Sequence, residues 1–380
     1  MPDLSDYRAR IDEIDGQITR LLERRMQVVE GIARYKLEKG MPVLQPEREA
    51  QVIEKQVARL ENPENAGAIR GLYAEIMRSS RQTQIKLIGQ DKDEPLPEIR
   101  DWVEHPRAAY PGVPGSFSEQ AALDFFGDSA QISHFDQFEQ VCQAVKAGEV
   151  DYGVLPIENS STGAVTDSYD LLDRYELYIV GEQLVKIEQH LMALPGTRLE
   201  EIREVYSHAQ GIAQSSVFLK QHPEWRVVPY LNTAISAKMV RDSGDRTRAA
   251  IAAERAARLY GLEILQRNVN FSRNNNTRFV IVSRHPMARP GADKASVSFT
   301  LENRVGTLSQ VLSCFAAHGI NMSRIESRPI AGKPWEYDFY ADFEGAMELD
   351  RIREALSQAR QDTRMLRLLG IYRKAAHEEA

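Results

Sequence analysis

Residues 21–36, LLERRMQVVEGIARYK, belong to an apolar seam that three cations interrupt. Steps of three and four from Arg8 give Arg8, Ile11, Asp15, Ile18, Leu22, Arg25, Val29, Ile32 and Lys36, the inner stripe of a long amphipathic helix. The pattern predicts a helix from about Ser5 to Lys39, stopped by Gly40, Met41 and Pro42. Long basic side chains can reach solvent from a helix edge, or pair with Asp15 or a neighbouring helix. Three on one buried seam instead call for an anion, because an unpaired buried cation is strongly unfavourable. At ~1.5 Å per residue, Arg8 and Arg25 stand ~25 Å apart, and Arg25 and Lys36 ~16 Å. One straight helix therefore cannot close Arg8 and Arg25 on a single small ligand. Two antiparallel copies can, and a helix of ~34 residues is too long to bury its stripe alone.

Two more helices are predicted, near QPEREAQVIEKQVARL (45–60), with Pro46 in its first turn, and over NAGAIRGLYAEIMRSSRQTQ (65–84). Arg48 and Glu49 fall in the first turn of the former. On the latter, Ile69, Tyr73, Ile76, Ser80 and Gln84 share one face, so two hydrogen-bonding side chains replace apolar ones. Arginines, one lysine, one carboxylate, a serine and a glutamine, without a nucleophile–base pair, suit a small anion that needs holding rather than proton transfer.

The whole chain has 380 residues, 42% hydrophobic and 27% charged, enough for two or three ordinary globular domains. A net charge of −7 argues against nucleic acid as partner. No apolar run approaches the ~20 residues of a membrane span, and the first residues lack the apolar core of a secretory signal. Cys142 and Cys314, far apart, fit a reducing cytoplasm better than a disulfide scaffold. A phosphate-binding glycine loop, a Cys/His zinc cluster and a dinucleotide fingerprint are all missing from the sequence, so chemistry without metal or nucleotide cofactor is expected.

Composition places a helical segment at 1–90, a polar, proline-marked linker at 91–105, an α/β segment at 106–285, a second break at 286–294, and a last segment at 295–380. Within 106–285 short apolar runs alternate with amphipathic helices, leaving the loops after the strands open to ligands. Four stretches there are unusually polar: GVPGSFSEQAA (112–122), PIENSSTGAV (156–165), YSHAQ (206–210) and RNNNTRF (273–279). Each suits an anion or a substrate, and each is also what simple helix capping would produce. The last segment reads β-α-β-β-α-β, the split ferredoxin-like unit.

The spacing Arg8, Arg25, Lys36, Arg48, Glu49, Ser80, Gln84 resembles the all-helical chorismate mutase domain. That family is an intertwined helical dimer that converts chorismate to prephenate. The resemblance implies that Arg25 and a partner's Arg8 hold the two carboxylates, and that Lys36 and Gln84 donate to the ether oxygen. Glu49 would accept from the ring hydroxyl, with Arg48 and Ser80 in support. Gln45 stands where the family usually has an acid, and can hydrogen-bond the hydroxyl without adding charge.

The G-S-F-S turn, P-I-E-N-S-S-T-G, S-H-A-Q and N-T-R-F together resemble prephenate dehydratase, which has two α/β lobes around a cleft like a periplasmic binding protein. The resemblance makes Thr277 the donor to the departing hydroxyl, with Ser116, Glu158, Asn159, Ser160, Ser161, Ser207, His208 and Gln210 as substrate contacts. Arg278 is a carboxylate clamp or an ion-pair partner of Glu158. Ala209 replaces the proline usual in S-H-A-Q, and the proline of G-V-P-G comes one place late. Finally ENRVGTLSQVL (302–312) and RIESRPI (324–330) resemble an ACT domain. This implies that L-phenylalanine binds between Gly306, Thr307 and Leu308 and a partner's Glu326, Ser327, Arg328 and Pro329. The usual Gly-Ala-Leu word reads Gly-Thr-Leu here.

The expectation is a cytoplasmic homo-oligomer, dimer or tetramer, acting on chorismate and prephenate and inhibited by L-phenylalanine. Three alternatives stay open: a dehydratase whose helical segment only dimerises, a non-catalytic amino-acid sensor, and arogenate in place of prephenate.

Overall fold

In the computed structural model, which describes residues 3–88, 98–272, 274–287, 290–330, 332–345 and 349–376, the chain divides into two units, Met1–Pro95 and Leu96–Ala380. The first is three helices, α1 (Leu4–Lys39), α2 (Pro46–Val57) and α3 (Ala66–Ile88). Asp3 starts α1 through a capping box with Asp6, and Gly40 ends it in the left-handed conformation at φ 63°. Both α1 and α2 pack on α3.

The α1 seam is covered over only half its length. Val29 is 4% exposed, and Arg25 and Lys36 are partly buried, but Ile11, Ile14 and Ile18 are 56%, 54% and 53% exposed. Ala33 rather than Ile32 is buried. The reason is length: α3 has 23 residues against 36 in α1, so within one chain it cannot reach the N-terminal half. No described helix is long and apolar enough to cross a membrane.

The second unit opens with residues 98–105, which pack onto it instead of hanging free. Arg100 N donates to Pro286 O at 2.9 Å, and Trp102 stacks on Tyr152 at 4.9 Å. Residues 91–97 of the expected linker lie outside the described residues. Then come β1 (Arg107–Pro111), α4 (Phe117–Phe126), β2 (Gln131–Phe135), α5 (Phe138–Ala147), β3 (Tyr152–Asn159), β4 (Gly163–Ala164), α6 (Thr166–Arg174) and β5 (Tyr178–Lys186). The chain crosses to a second lobe with β6 (His190–Ala193), β7 (Glu204–Ser207), α7 (Ala209–Gln214), α8 (Ser216–Leu219), β8 (Arg226–Pro229), α9 (Thr233–Ser243), β9 (Arg248–Ala252), α10 (Glu254–Tyr260) and β10 (Glu263–Gln266). It returns as β11 (Asn276–Ser283).

The sheet orders, β2-β1-β3-β11-β5 and β10-β6-β9-β7-β8, define two lobes joined by two crossings. β11 inserts antiparallel between β3 and the edge strand β5, with Thr277 opposite Asn159 and Arg278 opposite Glu158.

The last elements are β12 (Lys294–Thr300), α11 (Thr307–Ala317), β13 (Asn321–Pro329), β14 (Tyr337–Glu344), α12 (Leu349–Arg360) and β15 (Met365–Tyr372), with sheet order β13-β14-β12-β15. One face of this sheet carries the two helices and its own core around Phe299, Phe315 and Phe343. The other lies on the first lobe, where Tyr340, Leu369 and Tyr372 join the core of Leu155, Leu172 and Val280. The approach is close: a methyl built on Gly370 would stand 1.8 Å from Ile179 O. The break at 286–294, of which 288 and 289 lie outside the described residues, thus separates two sequence patterns inside one compact unit.

Candidate active site

Arg25 on α1 donates to Ser80 Oγ on α3, and its second Nη lies 3.7 Å from Met77 Sδ. Ser80 spends its own proton on Ile76 O at 2.6 Å, one turn back. Gln84 donates from Nε2 to Ser80 O at 3.1 Å, which leaves its Oε1 buried without a partner. Lys36 Nζ donates to Val43 O at 2.7 Å. Burial lowers the pKa of both cations; Glu49 partly restores that of Lys36, and Tyr73 that of Arg25. Glu49 itself pairs with Arg81. Arg25, Lys36, Glu49, Ser80 and Gln84 thus converge where α1, α2 and α3 meet. Gln45, half-buried, precedes α2 without a side-chain cap bond. Arg8 and Arg48 are exposed, and Arg8 lies at the uncovered end of α1.

Between the two lobes of the second unit runs a cleft of about 360 Å³. The first lobe lends it Ser116, Asn159 and Thr277, the second His208 and Gln210. Strand alternation aims Asn159 and Thr277 the same way. Asn159 Nδ2 donates to Thr277 Oγ1 at 2.9 Å and to Asn275 Oδ1 at 2.8 Å. Its Oδ1 accepts from the backbone N–H groups of Ser161 and Thr162 at 3.0 and 3.1 Å, so the amide is fully oriented. Ser116 caps α4, and His208 caps α7 by accepting at Nδ1 from Gln210 N at 3.3 Å. The lobes are latched by Glu119 to Arg255 and by Tyr260 OH to Pro114 O at 2.8 Å. Burial alone would raise the Glu119 pKa, but Arg255 and the Gly115 N–H outweigh it and hold the carboxyl below its usual range.

A third hollow, about 810 Å³, lies on the last sheet's helical side around Gly306, Thr307 and Leu308, with Trp335 and Tyr337 across from them.

Three family models match the chain in order: "Chorismate mutase type II" over residues 7–85, "Prephenate dehydratase" over 108–287 and "ACT domain" over 295–361. The bifunctional chorismate mutase/prephenate dehydratase of Aquifex aeolicus is 33% identical over 385 residues, covering 100% of both chains. The chain belongs to the bifunctional chorismate mutase/prephenate dehydratase family. The structure of prephenate dehydratase in complex with L-Phe from Arthrobacter aurescens aligns with a TM-score of 0.65 at 34% identity, over 72% of this chain and 92% of that one. A structure described as a novel type of quorum quenching acylase aligns with a TM-score of 0.65 at 32% identity, over 72% of this chain and 100% of its own.

Within the dehydratase unit, several residues named from sequence lie away from the cleft. Ser207 is fully buried and donates to Ile251 O at 2.7 Å. Ser160 ties the loop before β11, donating to Asn274 O and accepting from Asn276 N at 3.0 and 2.9 Å. Ser161 contributes its backbone N–H to Asn159 rather than lining the cleft. Arg278 does not clamp a carboxylate in the cleft: it turns to the opposite face of β11 and pairs with Glu158 at 3.2 Å, Glu182 at 3.2 Å and Asp342 at 2.9 Å. Glu158 faces the same way.

In the ACT unit, Thr307 closes its own loop by donating to Glu302 O at 3.0 Å. Glu326 to Pro329 form the end of edge strand β13, away from the hollow of the same chain. Glu326 lies by Arg324 at 3.3 Å and Arg328 by Asp170 at 3.2 Å.

Sequence reading passed over Arg81, one place off the counted stripe of α3, and the cleft residues Gln189, Gln214, Asn232 and Thr233. Nothing local singles out Gln189, which sits in the polar stretch KIEQH, residues 186–190. Its Oε1 is buried without a partner while Nε2 donates to Gln214 Oε1 at 3.4 Å.

Proposed function

We propose that the chain converts chorismate to prephenate in its helical unit and prephenate to phenylpyruvate in the cleft, under feedback inhibition by L-phenylalanine. The observation that carries this reading is the end-to-end likeness to a bifunctional enzyme, spanning both units. In the first reaction, one C–O bond breaks and one C–C bond forms within a single molecule, so positioning and charge do the catalysis. Arg25, held by Ser80, takes one carboxylate, and Arg8 of a second copy takes the other. Lys36 and the Gln84 amide face the developing charge on the ether oxygen; Glu49 holds the ring hydroxyl. Exposed Ile11, Ile14 and Ile18 support a homodimer or a tetramer built from dimers.

In the second reaction, the C–C bond to the ring carboxylate breaks, the carboxylate leaves as carbon dioxide, and the bond's electrons enter the ring. The C–O bond to the ring hydroxyl breaks in turn, and the departing oxygen takes a proton to become water. Thr277 Oγ1 already accepts from Asn159, so its own proton is left to point at that oxygen. Acyl transfer fits less well, because a nucleophile needs a base and Thr277 is held by an amide. L-phenylalanine occupies the hollow at Gly306 to Leu308, closed by Glu326 to Pro329 of a second copy. The working division is residues 1–90, 106–285 and 295–380, in the cytoplasm.

The test is to supply chorismate to the purified protein and follow prephenate and phenylpyruvate with and without L-phenylalanine. Phenylpyruvate formed, and slowed by the effector, supports all three assignments. Chorismate untouched while prephenate is consumed reduces the helical unit to a dimeriser; neither consumed leaves a sensor.

A further inference from the structure

The rung of β-ladder next to the Asn159–Thr277 pair is gripped by the ACT sheet. Thr277 stands opposite Asn159, and the neighbouring residues Arg278 and Glu158 stand opposite each other. Successive side chains on a strand point to opposite faces, so one rung faces the cleft and the next faces the ACT sheet. There Asp342 of β14 lies 2.9 Å from Arg278, and Arg324 of β13 lies 3.1 Å from Glu158. Lys294 of β12 completes the group, 2.9 Å from Glu182, which also pairs with Arg278.

Three cations and three carboxylates thus meet between the two sheets. Arg278, Glu182, Lys294 and Asp342 are each less than a tenth exposed. Asp342 is held in place by Ser296, which donates to its Oδ1 at 2.6 Å, and Ser296 in turn meets Tyr372 at 2.7 Å. The Asp342 Oδ2 is close to the guanidinium but receives no aligned N–H, so that contact is Coulombic. Apolar contacts through Leu369 and Tyr372 already dock the two sheets, so burying four charges here is not needed for adhesion. Arg324 also lies on the strand that carries Glu326 to Pro329, one same-face step before Glu326.

We propose that Asp342 and Arg324 are positioning residues for the dehydration: they hold Arg278 and Glu158, and through them the Asn159–Thr277 hydrogen bond, so that an effector bound at β13 acts on catalysis through this rung. The proposal rests on the reading of the cleft as the dehydratase site. A shift of β13 and β14 by a fraction of an ångström displaces the rung, and a donor aligned with a departing oxygen tolerates little displacement.

The experiment uses the full chain with Asp342→Asn, which keeps size and removes charge, and Arg324→Lys, a milder change on a partly exposed strand edge. Dehydratase kcat and KM are measured with prephenate, effector affinity by calorimetry with L-phenylalanine, and mutase turnover and thermal unfolding as controls of folding. The expected result is a kcat lowered ~10-fold or more with KM within ~3-fold. L-phenylalanine should still bind, with Kd within ~3-fold of the parent, while its maximal inhibition is largely lost, the mark of broken coupling. If Asp342→Asn does not fold, Arg324→Lys decides by the same readouts. Parent-like kcat and inhibition, or inhibition lost only in step with L-phenylalanine binding, overturns the proposal. A parent protein that leaves prephenate intact overturns the dehydratase reading itself, an outcome visible before any variant is made.

Discussion

Lys36 shows how a single residue's surroundings set a measurable property. Burial pulls its pKa below the ordinary lysine value, and the Glu49 carboxylate only partly offsets that. A lowered pKa means that the proton is lost at lower pH, and with it the donor proposed for the ether oxygen. Mutase kcat/KM should therefore fall on an alkaline limb centred below ~10.4, the free lysine value, and Lys36→Gln should abolish that limb. At the other site, Thr277→Ala removes the uncommitted proton. It should lower dehydratase kcat by ~10²-fold or more, with mutase turnover retained, and Arg25→Ala should do the reverse. Progress curves with each substrate decide; either change abolishing both activities in a folded protein would mean that the two sites are not separate. The positions of both were legible, Thr277 in the cleft from the N-T-R-F word and Lys36 beside Glu49 from helical spacing. Arg278 was only half legible: its pairing with Glu158 was one of two open readings, but its ACT partner Asp342 lies 64 positions along the chain, and no local pattern names it.

Among elements, the strands of the α/β segment were readable as short apolar runs, the first ACT strand from its alternation, and the helices from their stripes and caps. The insertion of β11 between β3 and β5 was not, since antiparallel return from a distant lobe leaves no mark on the strand itself. Nor was the docking of β15 on β5, which rests on Gly370. With no side chain there, the backbone comes so close to Ile179 that an added methyl would lie 1.8 Å from its carbonyl oxygen, and no side-chain rotation relieves a backbone contact. Gly370→Ala should therefore cost at least the ~1–3 kcal/mol of core overpacking, read as a lowered urea midpoint of the second unit. The helical unit should hold its own midpoint. An unchanged midpoint for the second unit would show that the two sheets slide apart freely.

For the whole molecule, the division of labour was legible because each segment carries its own period and its own polar words. The half-bare face of α1 followed from length alone: 36 residues cannot be covered by a partner helix of 23. On the proposed reading one chain cannot bring the second carboxylate's cation to its own site, because Arg8 stands ~25 Å from Arg25 on the same rod. If two copies lie antiparallel, each site takes Arg25 from one chain and Arg8 from the other. Arg8→Ala and Arg25→Ala proteins should each lack mutase activity. Unfolded together and refolded, they should regain it, because a mixed dimer has one site with both arginines intact and one with neither. Random pairing makes about half of the dimers mixed, so about a quarter of parent mutase activity should return. Dehydratase activity, which uses neither arginine, reports how much protein refolded and normalises the result. No recovery at full dehydratase yield would mean that Arg25 of one chain and Arg8 of another do not meet in one site, and the shared-site reading would fall.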